Sequence, residues 1–257
     1  SLVGSEMCIR DSHGAGDELY NNASEFYRAE NGQPIGYFWG YKTAGIFQNT
    51  QEIDEWRAVG NGILQSNVQP GDVRFVDRNH DGQINDKDKV NLGNGTPDFT
   101  LGLNLGFVYK GFDFSIVANG AFGQQIVQSY RNHTRPTPNY TTAILDRWHG
   151  EGTSNRIPRV TDSNINYQFS DLFIQNGDYL RLSTLTLGYD FAKLFKGKAV
   201  SQARLYFQVQ NLFTITGYDG MDPEIGFGSS NNSWVSGLDY GYYPRPRTVL
   251  VGVNLKF

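Results

Sequence analysis

The sequence predicts an all-β chain whose antiparallel strands form part of the wall of a membrane β-barrel. Three observations support this fold class. Several segments alternate apolar and polar residues, the connections between them are alternately short and long, and aromatic residues stand at the segment ends. The composition agrees, because the 257 residues include 30 Gly, 17 Phe and 15 Tyr, which is typical of strands and tight turns rather than of a helical bundle. No apolar run is long enough for a membrane-spanning helix.

Four segments alternate at a period of two residues, which indicates strands with one apolar face. They are residues 99–109, 112–122, 203–213 and 249–257. In residues 179–191 the apolar positions change frame, with Leu180 and Leu182 in one frame and Leu185 and Leu187 in the other. A change of one residue predicts a β-bulge. Residues 36–47 fit either a sixth strand or a structured loop.

The connections alternate in length. Lys110 and Gly111 form a two-residue hairpin turn between the first two strands. The connections over residues 123–178 and 214–248 are long, and so is the segment before residue 99. Bacterial outer-membrane barrels have short periplasmic turns and long extracellular loops. We therefore expect the long connections to be extracellular.

The predicted polar faces carry Asn, Gln, Gly, Ser and Thr with few charges, which suits a barrel lumen better than a solvent-exposed sheet. Aromatic residues at segment ends would form the interfacial girdles of a barrel. The last predicted strand ends on Phe257, which resembles the outer-membrane assembly signal. The alternative is a soluble, secreted, calcium-stabilised β-sandwich that binds glycans, because a sandwich also alternates.

Five or six strands cannot close a barrel, since bacterial single-chain barrels begin at eight, and an open edge leaves backbone groups unsatisfied in lipid. We therefore expect residues 13–257 to be the C-terminal part of a larger barrel whose earlier strands are missing. Residues 1–12 (SLVGSEMCIRDS) include the only cysteine, Cys8. This stretch resembles a translated sequencing-adapter artefact and is set aside for the fold.

An ordered series of segments resembles one family. The series is GQPIGYFWGYKTAGIFQ (32–48), GDVRFVDRNHDGQINDKDKVNLG (71–93), TPDF (96–99), GDYLRLSTLTLGY (177–189), QNLF (210–213) and YPRPRTVLVGVNLKF (243–257). Together these segments resemble the C-terminal third of the SusC/RagA-type TonB-dependent outer-membrane transporters of Bacteroidetes. The resemblance extends over roughly residues 20–257.

The resemblance implies a barrel of about 22 strands around an N-terminal plug domain, with the plug missing from this chain. It also implies location in the cell outer membrane, in contact with its lipid. The implied function is uptake of oligosaccharides or peptides, together with a SusD-like surface lipoprotein and driven by the TonB–ExbB–ExbD complex. This chain would supply the last barrel strands and extracellular loops.

One local motif predicts a calcium site. Asp77, Asn79 and Asp81 occupy positions 1, 3 and 5 of a calcium-loop pattern, with Gly82 at position 6. Gln83 would contribute its backbone carbonyl, and position 12 holds an Asp. The full expected ligand set is Asp77, Asn79, Asp81, Gln83 and Asp88. Residues 73–76 look extended rather than helical, unlike an EF-hand. The alternative is an Asx-rich turn without an ion, and the Ca²⁺ would be structural.

The sequence argues against two function classes. It has no nucleophile elbow, zinc-protease or P-loop motif, and its four histidines lie apart, so we expect no enzyme and name no catalytic residue. The formal net charge of −4 makes nucleic-acid binding unexpected.

Aromatic residues in the long connections could stack on sugars, but loop packing is the favoured interpretation. They are Tyr130, Tyr140, Trp148, Tyr218, Trp234, Tyr240, Tyr242 and Tyr243. The substrate stays unknown.

Overall fold

The computed structural model describes residues 27–59, 65–128, 142–161, 163–191, 201–225 and 236–256. In chain order the strands are β1 (Tyr27–Arg28), β2 (Tyr37–Gly40), β3 (Thr43–Ile46), β4 (Val73–Phe75), β5 (Val90–Asn91), β6 (Phe99–Tyr109), β7 (Phe112–Phe122), β8 (Gln125–Gln128), β9 (Ile174–Asn176), β10 (Tyr179–Asp190), β11 (Gln202–Thr216), β12 (Leu238–Asp239) and β13 (Thr248–Lys256). One α-helix, α1, covers Thr50–Val59. Short 3-10 helices cover Asp86–Asp88, Thr142–Asp146, Asn164–Tyr167 and Asp171–Phe173.

The described residues fall into two compact units. The first, here called the strand unit, lies within Thr96–Gln124, Asn176–Ile225 and Tyr242–Phe257. The second, the loop unit, lies within Ser1–Gly95, Gln125–Gln175 and Gly226–Gly241. The long connections between the predicted strands therefore contribute to a unit with secondary structure of its own. In the described part of the chain, no helix has the length and apolar character needed to cross a membrane.

The strand unit is a 5-stranded antiparallel sheet in the order β13-β11-β10-β7-β6. The five strand predictions are confirmed, including the one with the change of frame, and β6 and β7 have the expected bounds. Residue 257 lies outside the described residues. Lys110 and Gly111 both adopt positive φ, 49° and 94°, as a primed hairpin turn requires.

The predicted bulge lies in β10. The register shifts between Leu182 and Thr184 against both β7 and β11, so Ser183 is the extra residue relative to β7. The shift returns Leu180 and Leu182 to the face that carries Leu185 and Leu187. One continuous apolar face results, although a strict alternation would have turned half of the strand over.

The loop unit contains three small sheets, β1-β2-β5, β12-β8-β9 and β3-β4. Residues 36–47 form β2 and β3, which pair with β1, β5 and β4 rather than joining the 5-stranded sheet. They are therefore a structured loop and not a sixth wall strand. Buried side chains form three apolar clusters, built around Phe38 with Val127, Tyr41 with Phe75, and Phe47 with Ile53.

A buried carboxylate also organises the loop unit. Asp72 has no exposed surface and accepts hydrogen bonds from Arg159 at 2.7 Å and from the Asn166 amide at 3.0 Å. Asn166 in turn accepts from the backbone N–H of Val73. Because a buried charge is costly unless it is paired and hydrogen-bonded, this network holds residues 72–73 to the part of the chain that carries Arg159 and Asn166.

Candidate functional site

The 5-stranded sheet of the strand unit has one apolar face whose side chains are largely exposed. Paired residues form rows across all five strands, such as Phe107, Phe114, Leu187, Phe207 and Val251. Four of these side chains are 45% to 70% exposed. The neighbouring rows, which begin with Leu105 and Tyr109, are also entirely apolar. A water-soluble β-sandwich would bury such a face, so its exposure favours the membrane wall over the sandwich alternative.

The opposite face of the same sheet, here called the polar face, carries a buried ion-pair cluster. Arg181 of β10 is 3% exposed. Its guanidinium donates to Asp222 at 2.5 Å, to Glu224 at 2.9 Å and to the Thr214 hydroxyl at 2.9 Å. Arg181 therefore binds the segment that follows β11 to the polar face.

A second arginine completes this cluster. Glu224 uses its other oxygen to pair with Arg245 at 2.9 Å. Asp222 accepts hydrogen bonds from the backbone N–H groups of Glu224 and Arg245. The cluster thus contains two guanidinium groups and two carboxylates, and Arg245 is its most exposed member, with 53% of its side chain accessible.

Sequence reasoning found only part of this cluster. Arg181 is a charged residue within the predicted strand over residues 179–191, which predicts a position near a strand end or facing the lumen. The structure places it on the polar face, opposite Asn119 and Thr214. Asp222, Glu224 and Arg245 were missed. Arg181 lies 41 and 43 positions from Asp222 and Glu224, and Arg245 lies 23 positions from Asp222. The sequence contains no signal for pairing at these separations.

The predicted calcium loop is compact and closed by its own hydrogen bonds. Gly82 adopts a φ of 79°, which permits the expected sharp turn, and its N–H donates to Asp77 at 3.0 Å. Asn79 and Asp81 accept from the N–H groups two residues further on. Residues Val73–Phe75 form a strand, as the sequence indicated.

Asp88, at position 12 of the loop, is fully buried. Its two carboxylate oxygens accept from the N–H groups of Arg78 at 2.9 Å and Asn85 at 2.8 Å, and it completes a capping box with Asn85.

A hydrogen bond from the Asn79 amide is the largest effect that lowers the pKa of Asp81. That carboxylate is therefore ionised at neutral pH.

The expected ligands lie in one loop, but their side chains do not surround a common point. Across the residues the structure describes, no three His, Cys, Asp or Glu side chains are grouped to hold a metal ion. One feature fits an ion. Within the described residues, the buried Oδ1 atom of Asp77 has no hydrogen-bond partner, and a cation would satisfy it. Calcium binding by Asp77, Asn79, Asp81, Gln83 and Asp88 stays a prediction.

The aromatic residues of the long connections divide into two groups. Trp148 donates from its ring N–H to Gln48 at 3.2 Å, and Tyr218 is buried, so both pack within the fold. The second group is exposed: Tyr240 at 51%, Tyr242 at 43% and Tyr243 at 87%. Tyr130, Tyr140 and Trp234 lie outside the described residues.

Comparison with known proteins agrees with these surfaces. No family model matches the chain. The TonB-dependent receptor P3 of Formosa agariphila is 34% identical over 237 residues, which is 88% of this chain and 22% of that receptor. The TonB-dependent receptor SusC of Bacteroides thetaiotaomicron is 31% identical over 197 residues, which is 76% of this chain and 18% of SusC.

Solved structures show the same fold. The structure of the RagAB peptide transporter matches with a TM-score of 0.65 and 21% identity, over 93% of this chain and 25% of that chain. The RagAB importer in its open-open state matches equally well, with a TM-score of 0.65. This chain spans about a quarter of the length of those transporter chains.

The sheet, with one exposed apolar face and one polar face, defines a segment of an outer-membrane β-barrel protein. The chain belongs to the SusC/RagA-type TonB-dependent receptors, which are outer-membrane proteins. These relatives are receptors and transporters, which is consistent with the expectation of no enzymatic role.

Proposed function

We propose that the chain is part of an outer-membrane nutrient importer, in which the strand unit contributes to the barrel wall. The observation that carries the proposal is the contrast between the two faces of the 5-stranded sheet. Apolar side chains such as Phe107, Phe207 and Val251 are exposed on one face, where lipid tails would cover them. The other face presents Asn119, Arg181 and Thr214, which suit a water-containing lumen.

The proposed cargo is an oligosaccharide or a peptide, and the proposed partners are a SusD-like surface lipoprotein and the TonB–ExbB–ExbD complex. Two kinds of relative support this. Several are TonB-dependent receptors, including SusC, and the RagAB structures are those of a peptide transporter. The energy-coupling contacts would be made by a plug domain outside this chain.

The loop unit would lie on the extracellular side in this proposal. Its three apolar clusters and the Asp72 network would keep the long connections ordered. A structural Ca²⁺ in the loop from Asp77 to Asp88 would stiffen this unit further, because each ligand removes conformational freedom from an exposed turn.

The membrane assignment is tested by two substitutions on one strand of the full-length receptor. Val251→Arg places a charge on the apolar face, where a cation costs about 2–4 kcal/mol near the bilayer centre. Asn254→Arg adds the same charge on the polar face of β13. We expect the first variant to lose most of its outer-membrane yield and the second to keep it, measured by membrane fractionation. Equal yields would contradict the proposal.

Transport is tested by uptake in cells that express the full-length receptor. Labelled oligosaccharides and peptides should enter only when the receptor and TonB are both present. Uptake that is independent of TonB, or the absence of uptake for every pool tested, would contradict the importer function.

A further inference from the structure

A polar pocket lies within the loop unit, where three parts of the chain meet. Its volume is about 410 Å³, and small-molecule sites typically have volumes of about 300–1,000 Å³. Its lining comes from the start of α1 with the residues before it, from β4, and from residues 151–155. Among the lining residues are one guanidinium and two carboxylates, those of Arg74, Glu52 and Glu151. The lining therefore carries an excess of one negative charge.

The side chain of Gln48 holds the walls of this pocket together. Its amide nitrogen donates to the carbonyls of Ile46 at 2.9 Å and Ser154 at 3.1 Å. Its oxygen accepts from the Trp148 ring N–H at 3.2 Å and from the Gly152 N–H at 2.9 Å. All four hydrogen-bonding positions of the amide are therefore used. A wall that is fixed before a ligand arrives lowers the cost of binding.

The two carboxylates of the pocket each use one oxygen for the fold. Glu52 accepts from the Gln48 N–H at 2.9 Å through its Oε2 atom. Glu151 accepts from the Asn49 amide at 2.7 Å through its Oε1 atom. Within the residues that the structure describes, the other oxygen of each carboxylate has no hydrogen-bond partner. One oxygen of each acid is thus left for a ligand.

The guanidinium of Arg74 also keeps donors in reserve. It donates from one terminal nitrogen to the Ala44 carbonyl at 2.8 Å. Its buried Nε atom has no hydrogen-bond partner among the described residues. In the same part of the chain, none of the ion pairs includes Arg74, Glu52 or Glu151. Both signs of charge therefore line one pocket without neutralising each other directly.

Resting on the proposed function, we propose that this pocket binds the amino terminus of a peptide cargo. The α-ammonium group binds between the free oxygens of Glu52 and Glu151, because it supplies three donors and one positive charge. The carbonyl next to it accepts from Arg74, whose guanidinium can only donate. The loop unit is extracellular in the proposed function, which is the side from which cargo arrives.

The lining favours an ammonium group over the hydroxyl groups of a neutral sugar. Charge-assisted hydrogen bonds are roughly twice as strong as neutral ones, and only a cation balances the negative charge of the lining. None of the lining residues in the described part of the chain is aromatic, so a sugar ring has no aromatic face to stack on. A peptide amino terminus brings a cation and an adjacent oxygen acceptor together.

The experiment measures binding to the purified full-length receptor in detergent by titration calorimetry. The probes are tetraalanine, N-acetyl-tetraalanine and maltotetraose, and acetylation removes the ammonium charge from an otherwise unchanged peptide. Glu52→Gln and Glu151→Gln each remove one charge and keep an oxygen for the existing hydrogen bond. Glu55→Gln is the matched control, because Glu55 lies on the same helix, accepts from Gln51 and does not line the pocket.

We expect tetraalanine to bind about tenfold more tightly than N-acetyl-tetraalanine, as loss of a charged hydrogen-bonding group predicts. Glu52→Gln and Glu151→Gln should each lower this ratio about threefold, because a neutral bond replaces a charge-assisted one. The double variant should remove most of the preference. Glu55→Gln should leave the ratio unchanged.

The ratio of the two affinities separates binding from a structural role. If the two acids only support the wall, their variants weaken every probe alike and keep the ratio, which overturns the proposal. A ratio near one in the unmodified receptor, tighter binding of maltotetraose than of tetraalanine, or no binding of any probe overturns it as well. Equal TonB-dependent uptake of the free and acetylated peptides would overturn this inference while leaving the importer function intact.

Discussion

Asp113 of β7 and Arg204 of β11 form an ion pair across the strand that lies between them. The Arg204 Nε atom is 2.7 Å from Asp113 Oδ1, and a second guanidinium nitrogen also contacts the carboxylate. The pair crosses β10 above Gly188, which stands opposite Asp113. Any side chain at Gly188 would occupy the space that the two charges use.

Replacing Gly188 by alanine should therefore destabilise the sheet. The new Cβ would overlap the Asp113 carboxylate and the Arg204 guanidinium. Overpacking of this kind should lower the free energy of unfolding by about 1–3 kcal/mol. Urea unfolding of the full-length receptor in detergent measures the effect. Gly102→Ala is the control, because a Cβ at Gly102 meets open space on the same sheet. Equal stability of the two variants would contradict the overlap.

Substitution of the buried arginine should cost more. Arg181→Met removes the partner of Asp222 and Glu224 and should lower the free energy of unfolding by about 3–5 kcal/mol. The triple variant with Asp222→Asn and Glu224→Gln should recover much of this loss, since no buried charge is then unpaired. Chemical unfolding of the receptor checks both values. If the Arg181→Met variant were as stable as the unmodified receptor, the cluster would not contribute to folding stability.

Calcium should stabilise the receptor if the loop binds it. At a free Ca²⁺ concentration 100 times the dissociation constant, the gain is about 2.7 kcal/mol. Thermal unfolding in Ca²⁺ and in EGTA measures it. Asp77→Asn should abolish the difference, whereas Asp54→Asn, on the exposed side of α1, should not. If the unfolding temperature were the same in Ca²⁺ and in EGTA, the loop would be an Asx-rich turn without an ion.

Alkaline pH should weaken the loop unit. Burial, followed by the hydrogen bond to Glu30, raises the pKa of Tyr37 to about 12. Burial, with the nearby Asp86 and Asp88, raises that of Tyr41 to about 12. These phenols ionise near pH 10 once unfolded. The contribution of Tyr37 and Tyr41 to the stability of the folded state is therefore complete below pH 10 and is lost as the pH rises through 12.

Ultraviolet absorbance of tyrosinate, followed together with unfolding, tests this window. The double variant Tyr37→Phe and Tyr41→Phe should lose less stability between pH 10 and 12 than the unmodified receptor. A parallel loss in both proteins would assign the alkaline sensitivity to other groups.

The wall strands could be predicted because their physics is local. A strand between lipid and a polar lumen must alternate at every second residue, so the bounds of β6 and β7 matched the pattern. The bulge near Ser183 was visible for the same reason, since it changes the frame of the leucines on either side. The ion-pair cluster could not be predicted, because Arg181 and Asp222 meet only after β10 and β11 have paired.

The loop unit shows a signal that was present and overlooked. Asn49 caps α1 by accepting from the N–H of Glu52, and Glu52 accepts from the N–H of Gln48. Asn followed three residues later by Glu is close to a capping box, so this helix start could have been identified. The small sheets of the loop unit could not, because strands of two to four residues are too short to show a period.

The tight turn at Lys110 and Gly111 bears on the order in which the sheet forms. β6 and β7 are adjacent in the chain, so their hairpin closes a shorter loop, at a lower cost in chain entropy, than the other pairings of the sheet. Pairing of β7 with β10 must close the whole connection from Phe122 to Tyr179, and such distant contacts form slowly. The hairpin is therefore expected to form first and to nucleate the sheet. A residue at position 111 that disfavours positive φ should slow folding more than it lowers the stability of the folded sheet.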